Sequence, residues 1–308
     1  MRYQRTIEES ISCSGVGLHT GQVTSIRLHP APEDHGVCFI RTDLARPVVI
    51  RAIAEQVVGT TLSTSLGTEE ASIHTVEHLL AACAGLRVDN LLIEVEGPEI
   101  PILDGSAAPF VALLERAGIK TQSRLQPYLR LIRPLRIGEP GAGVSVMPSP
   151  FPRISYTINF PDAVVKQQHY LYHGTEEEFS QGIAPARTFG FVKDVERMRA
   201  HGLIKGASLE NAVVVGEDGV VNPEGLRFPD EFVRHKVLDL IGDLALLGLP
   251  LVAQVAATCA GHAMNFQLVR ALRAQPDAWV IVSPEPSSPR RAEPSASLVL
   301  SVPLSLPS

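Results

Sequence analysis

The densest group of reactive side chains is the run His74-Thr75-Val76-Glu77-His78. If the run is helical, His74 and His78 share a face one turn apart and reach one metal ion, with Glu77 beside them as a base. Certain zinc peptidases use this H-x-x-E-H pattern, and a helix with ordinary surface histidines shows it too; five residues do not decide between the two. A second run places His235, Asp239 and Asp243 at i, i+4 and i+8. Around that row stand Phe232, Val233, Val237, Leu238, Leu240, Ile241 and Leu244, which leave it little solvated surface. It is either a buried ion-pair network or part of a metal site, because a His and a carboxylate one turn apart suit zinc. Three protein ligands and an open fourth position make a catalytic arrangement. A third signal is Gly261-His262-Ala263-Met264-Asn265, whose histidine gains weight only if the fold carries it to the other two.

The elements that must position these groups follow from periodicity. The first 50 residues alternate apolar and polar in short runs broken by Pro and Gly, which predicts strands and turns. Val76, Leu79, Leu80 and Cys83 recur at three and four and predict a helix over 74–85. A strand over 90–95, a Pro- and Gly-punctuated loop over 97–105 and a helix over 107–117 complete this half. Residues 119–127 are polar and end at Pro127, the expected boundary. Beyond it the pattern predicts strands at 128–132, 144–147, 154–160 and 251–257. Helices are expected at 176–183, 192–200, 230–247 and 264–274. Each half therefore offers strands with about two helices: an α+β protein of two domains, each a sheet layered on helices. The domains are expected at 1–125 and 126–275, followed by a Pro/Ser-rich tail over 276–308. No residue-level repeat links the halves.

Composition bounds the function. The 308 residues are 45% hydrophobic and 19% charged, in the globular range. With 27 Lys and Arg against 33 Asp and Glu, the net charge of −6 argues against a protein built to hold nucleic acid or an anionic membrane. Cys13, Cys38, Cys83 and Cys259 form no CxxC pair and read as reduced thiols in a cytoplasmic protein. The opening MRYQRTIEES has no apolar h-region, and the apolar stretch 244–261 is interrupted by Gly248 and Pro250, so neither a secretory signal nor a transmembrane helix is expected.

Four stretches resemble the UDP-3-O-acyl-N-acetylglucosamine deacetylases, zinc amidases of lipid A synthesis in Gram-negative bacteria. They are TVEHLLAACAGLRVDNLLIEVEGPEIPILDGSAAPF (75–110), ARTFGF (186–191), GLRFPDEFVRHKVLDLIGDL (225–244) and GHAMN (261–265), joined by SGVGLHTG (14–21). The motifs occur in the family's order, and the resemblance spans roughly residues 1–275. It implies one zinc per chain, held by His78, His235 and Asp239, with the site at the junction of the two domains. It makes Glu77 the general base, His262 its cationic partner, Asp243 the carboxylate that orients His262, and Thr188 a hydroxyl at the oxyanion. Lys236, Phe160 and His19 correspond to substrate contacts. A βαβ insert over about 188–215 is implied to form a passage for the acyl chain, lined by Phe189, Phe191, Val195, Ile204, Ala212 and Val214. The substrate implied is UDP-3-O-acyl-N-acetylglucosamine, the enzyme is expected to be monomeric, and His74 is expected to be incidental.

The chain departs from the family at Asn159, where relatives often carry Asp, and at Cys259, where a basic residue is often seen; both bear on nucleotide contacts. The glycines of 14–21 lack dinucleotide-site spacing. Two other readings compete with deacetylation. A zinc peptidase would use His74 as a ligand, and an inactive relative would only bind nucleotide.

Overall fold

Along Val23–Pro30 the side chains of Thr24, Ile26 and Leu28 are buried while their neighbours face outward, the period-2 signature of a strand covered on one face. Such strands recur throughout the molecule, a computed structural model that describes residues 2–139, 141–161 and 164–283. Up to residue 125 the strands are β1 (Tyr3–Ile7), β2 (Ile11–Val16), β3 (Val23–Pro30), β4 (Val37–Arg41), β5 (Val48–Arg51), β6 (Val57–Gly59), β7 (Ser65–Gly67), β8 (Ser72–Ile73), β9 (Leu91–Glu96) and β10 (Ile119–Leu125). Helices α1 (Glu77–Gly85) and α2 (Ala108–Arg116) flank β9. From residue 128 come β11 (Tyr128–Leu131), β12 (Leu135–Glu139), β13 (Ala142–Met147), β14 (Arg153–Asn159) and β15 (Gln167–Tyr172). They are followed by β16 (Phe189–Phe191), β17 (Val213–Val215), β18 (Leu251–Val252), β19 (Gln254–Thr258) and β20 (Trp279–Val282). The helices of this half are α3 (Glu176–Glu178), α4 (Val192–Ala200), α5 (Glu231–Ala245) and α6 (His262–Ala274).

Two five-stranded sheets share one topology. The first runs β2-β3-β9-β4-β5 and the second β12-β13-β19-β14-β15. In each, the last strand in sequence inserts between the second and third, antiparallel to one and parallel to the other. In each, one helix precedes that inserted strand and another follows it. Every described sheet draws its strands from one side of Pro127. The fold is therefore α+β, as the sequence predicts. The β16-α4-β17 unit has parallel strands and is the expected βαβ insert.

The halves meet through helices. α1 packs on α2 and on α5, and α5 lies on β14 and β15. From Glu77 to Cys83 every residue of α1 is buried, which is why its apolar residues surround it rather than forming a stripe. The α1–α5 contact depends on Gly242: a Cβ there would stand 2.1 Å from the Glu77 carbonyl oxygen.

Several elements depart from the sequence reading. α1 begins at Glu77 rather than His74, because Thr75 has φ of 59° and breaks the helical path. The 119–125 segment is a strand paired with β1, its polar side chains being those of an exposed ribbon. β12 and β15 were not expected. Past α3, residues Phe179–Ile183 form a π turn, with Phe179 buried where Gly85 leaves room for its ring. The expected tail does not begin at 276: the apolar run of β20 pairs with β11, and the Trp279 indole N–H donates to the Leu272 carbonyl. The rest of that tail, 284–308, lies outside the described residues.

Candidate metal and acid–base centre

The first turn of α1 and the second and third turns of α5 converge. The ligand atoms of His78, His235 and Asp239 all lie within 4.8 Å of one another, and all three residues are buried. Asp239 Oδ1 is 3.7 Å from His78 Nε2 and 3.3 Å from His235 Nε2, and it has no hydrogen-bond partner. The other carboxylate oxygen, Oδ2, accepts from Lys236 Nζ at 2.7 Å. His235 Nδ1 donates to the Ala186 carbonyl at 3.0 Å, which leaves the Nε2 lone pair facing the triad. Burial pushes the His235 pKa down to about 3, so the ring is neutral and able to coordinate. Burial opposes ionisation of Asp239, yet its interactions with the His235 ring and with the Lys236 and His262 cations hold it well below the ordinary carboxylate range. Two neutral-capable imidazoles and an ionised carboxylate with an orphaned oxygen fit a dication, and the N, N, O set suits zinc.

Glu77 sits beside the triad and is buried, which raises its pKa above that of a free carboxyl. Its Oε2 accepts from the Thr64 backbone N–H at 2.9 Å. His262, the first residue of α6, brings Nε2 to 3.9 Å from both Glu77 Oε1 and Asp239 Oδ2. Its Nδ1 donates to Asp243 Oδ2 at 2.8 Å. Burial alone would lower the His262 pKa; the Asp243 and Asp239 carboxylates reverse this and carry it up to about 10. The centre thus pairs a carboxyl shifted upward with a cationic imidazole.

These groups open onto a cleft of about 470 Å³ lined by Glu77, His78, Thr188, Phe189, Lys236 and His262, among others. Phe160 stacks near Phe189 and Phe191, with ring centroids 5.8 and 5.6 Å apart. The His19 ring is buried with both nitrogens unpartnered, next to cleft-lining Leu18. His74 stands apart: its Nδ1 meets Ser65 Oγ at 2.8 Å and it does not belong to the triad. The residues expected along the passage divide. Strand pairing sets Phe189 with Val213 and Phe191 with Val215 on one face of the β16–β17 ribbon, leaving Val214 with Gly190 on the other. Ala212 is buried, while Val195 and Ile204 are half-buried.

Sequence reasoning missed three supports. Thr64 links Glu77 to Asp243, its hydroxyl lying 2.5 Å from Asp243 Oδ1. Glu99, fully buried, accepts from the His19 and Thr20 N–H groups and from the Thr20 and Thr75 hydroxyls, fixing the loop before α1. Arg187 binds the buried Glu231 through its backbone N–H and Nε, tying the segment of Ala186 and Thr188 to the start of α5. An acid inside an otherwise apolar Pro-rich loop was a usable signal for Glu99. Thr64, within the run Thr60-Thr61-Leu62-Ser63-Thr64-Ser65, offered none.

Residues 4–274 match the LpxC family model, described as UDP-3-O-acyl N-acetylglycosamine deacetylase. Similar proteins include the UDP-3-O-acyl-N-acetylglucosamine deacetylase of Myxococcus xanthus, 47% identical over 91% of this chain and 89% of that one. The deacetylase of the same name from Citrifermentans bemidjiense is 45% identical over 94% of each chain. That of Shewanella oneidensis is 47% identical over 92% of this chain and 94% of its own. With nearly the whole described chain matched and a buried His-His-Asp triad flanked by an acid–base pair, the chain belongs to the UDP-3-O-acyl-N-acetylglycosamine deacetylase family.

Proposed function

We propose that this deacetylase hydrolyses the N-acetyl group of UDP-3-O-acyl-N-acetylglucosamine, giving acetate and UDP-3-O-acyl-glucosamine, with one zinc held by His78, His235 and Asp239. The observation that carries this reading is the partnerless Asp239 Oδ1 between two imidazoles, with Glu77 and His262 beside it. Bound there, zinc would lower the pKa of water to about 7 and polarise the acetamide carbonyl.

The protein's own groups supply the rest. Glu77 Oε1, its partner oxygen Oε2 held by the Thr64 N–H, is oriented to take the proton of the attacking water. As the carbonyl oxygen gains charge, the His262 imidazolium and the Thr188 hydroxyl stabilise it; an oxyanion donor is worth about 3 kcal/mol. When the C–N bond breaks, the amine nitrogen takes a proton from His262 Nε2 or from protonated Glu77, both of which face the same point. Lys236, besides holding Asp239, lines the cleft, and the nucleotide side of the substrate would lie against it, with Phe160 and His19 as further contacts. The acyl chain would follow the Phe189–Phe191 side of the cleft toward the βαβ insert.

We place the reaction in lipid A synthesis and in the cytoplasm of a Gram-negative bacterium, with the enzyme monomeric. Among the described residues no helix is long and apolar enough to cross a membrane. The division near residues 125 and 126 is supported by the segregation of the sheets at Pro127, while the pairing of β20 with β11 carries the second domain past 275. The peptidase alternative is disfavoured because His74 lies outside the triad.

The test is acetate release from UDP-3-O-acyl-N-acetylglucosamine, with and without a chelator and with zinc restored. Release that chelation abolishes and zinc recovers is expected. Undiminished release in a demonstrably metal-free enzyme, or no release from the zinc-loaded one, overturns the reading.

A further inference from the structure

We propose that Thr64 is a positioning residue that fixes the base Glu77 through its backbone N–H and the carboxylate Asp243 through its hydroxyl, so that proton acceptance and imidazole orientation depend on one residue. The inference rests on the deacetylase reading above. Thr64 belongs to the first half of the chain, in the loop preceding β7, whereas Asp243 and His262 belong to the second. Its backbone N–H donates to Glu77 Oε2 at 2.9 Å. Its hydroxyl lies 2.5 Å from Asp243 Oδ1 and 3.3 Å from His262 Nδ1.

The direction of the second hydrogen bond follows from the partners. Asp243 Oδ2 already accepts from His262 Nδ1 and from Asn265 Nδ2, both at 2.8 Å. Oδ1 is left to accept, and the Thr64 hydroxyl donates to it. Asp243 is then held at both oxygens, and rotation about its carboxylate axis is blocked. Without the hydroxyl, Oδ1 is buried with an acceptor unsatisfied and the carboxylate can turn away from His262. The site is buried on all sides: Thr64 is 2% exposed, Asp243 1% and His262 8%, so bulk water does not readily replace the missing donor.

Thr64→Val tests the hydroxyl alone, because valine keeps the β-branched shape and the backbone N–H that holds Glu77. Thr64→Ser keeps the donor. In the zinc-loaded full-length protein, Thr64→Val should lower kcat about tenfold or more, with KM and bound zinc unchanged, while Thr64→Ser keeps most of the rate. If the hydroxyl acts through Asp243, adding Thr64→Val to Asp243→Asn should cost almost nothing further. Thr64→Ala, which also removes the donor, repeats the measurement if the valine variant does not fold.

A second readout does not need turnover. At fixed pH the downfield proton resonance of the His262 Nδ1–H should shift or broaden in Thr64→Val and stay in place in Thr64→Ser. Full activity in Thr64→Val, equal losses in the serine and valine variants, or losses that multiply in the double variant overturn the proposal. If the wild-type protein releases no acetate, the deacetylase reading fails, and the His262 resonance decides the Thr64 contact separately: unmoved by Thr64→Val, it removes the proposal as well.

Discussion

The two five-stranded sheets repeat one another strand for strand, yet the helices attached to them carry different chemistry. α1 and α5 occupy equivalent places before the inserted strand. α1 presents Glu77 and His78 in its first turn and is apolar from Leu79 to Cys83. α5 presents His235, Asp239 and Asp243 on three successive turns. The helices after the inserted strand differ as sharply: α6 opens with His262, while the corresponding start of α2 is Ala108-Pro109. The repeated part is scaffold, and the reactive groups are distributed unequally over it. Neither half holds a complete candidate site, since the triad that could hold a metal takes one residue from α1 and two from α5. The repeat matters chemically because it brings two equivalent helices face to face, at the place where Gly242 allows α5 against the Glu77 backbone.

The largest effects should come from breaking the shared triad from either side. His78→Ala in the first half, and His235→Ala or Asp239→Ala in the second, should each lose zinc and activity together. Each loss should exceed the roughly 10–100-fold that follows removal of an outer-shell partner. Metal analysis and turnover of the purified variants check this. Full zinc occupancy with turnover in any one variant would take that residue out of the ligand set, and with it the equal dependence on both halves. Glu77→Gln should separate chemistry from binding: zinc is retained while kcat falls about 10²- to 10⁴-fold. A Glu77→Gln protein without zinc would instead make Glu77 part of the metal site.

The crossing itself is tested by Gly242→Ala. The added Cβ meets a backbone carbonyl rather than a flexible side chain, so the helices must separate. Overpacking of this kind costs about 1–3 kcal/mol, which thermal unfolding should register as a lower Tm. Because the atom displaced belongs to Glu77, kcat should fall as well. An unchanged Tm and rate would mean that the two helices are not held together at this point.

How much of this was legible in the sequence follows the same division. The α5 row was readable because three polar side chains at helical spacing stood among apolar residues. His78 was readable only together with the family's motifs, since His74 completed an equally good local pattern. What separates the two histidines is the positive φ of Thr75, a backbone property that the residue types do not announce. Thr64 and Glu99 act through loops that fold onto the site from a distance, and sequence spacing carries no trace of that. That each half holds strands with about two helices was legible and hinted at a repeat, but the shared strand order was not, because it depends on which strands pair. β12 and β15 were missed for a related reason: at the edges of their sheet, half-exposed strands such as Gln167–Tyr172 carry too little apolar alternation.

The acid–base pair gives a subtler test of the second half. The proposed mechanism uses Glu77 deprotonated and His262 protonated. Burial raises the Glu77 pKa, so the acid limb of the pH profile should lie above the ordinary carboxylate range. Burial opposes the His262 charge and Asp243 is the foremost group restoring it, so Asp243→Asn must lower the His262 pKa. The alkaline limb of kcat/KM should therefore move to lower pH, and by more than the acid limb, because burial is the largest cause of the Glu77 shift and Asp243 only a lesser one. An unmoved alkaline limb would assign that limb to another group.

The smallest expected effect concerns the insert, which the first half lacks altogether. Phe189 and Phe191 share a face with Val213 and Val215, which are buried, so that side of the ribbon is occupied by packing. The opposite face carries Gly190 and Val214, and a Cβ built on Gly190 meets nothing within 4 Å. A passage for the acyl chain that uses the insert therefore has open space over Gly190, not along the whole of the originally expected lining. Gly190 does not have a positive φ, so a larger side chain fits the backbone without strain. Gly190→Leu should fill that space and displace one or two methylenes of a bound chain. At about 0.8 kcal/mol per methylene, KM for a long-chain substrate should rise about 4- to 15-fold. A short-chain analogue should bind as before, and zinc content and Tm should not change. Equal KM values for the two substrates in the variant and the wild type would show that the chain does not pass over Gly190. The acyl group would then lie against the Phe160–Phe189–Phe191 cluster instead.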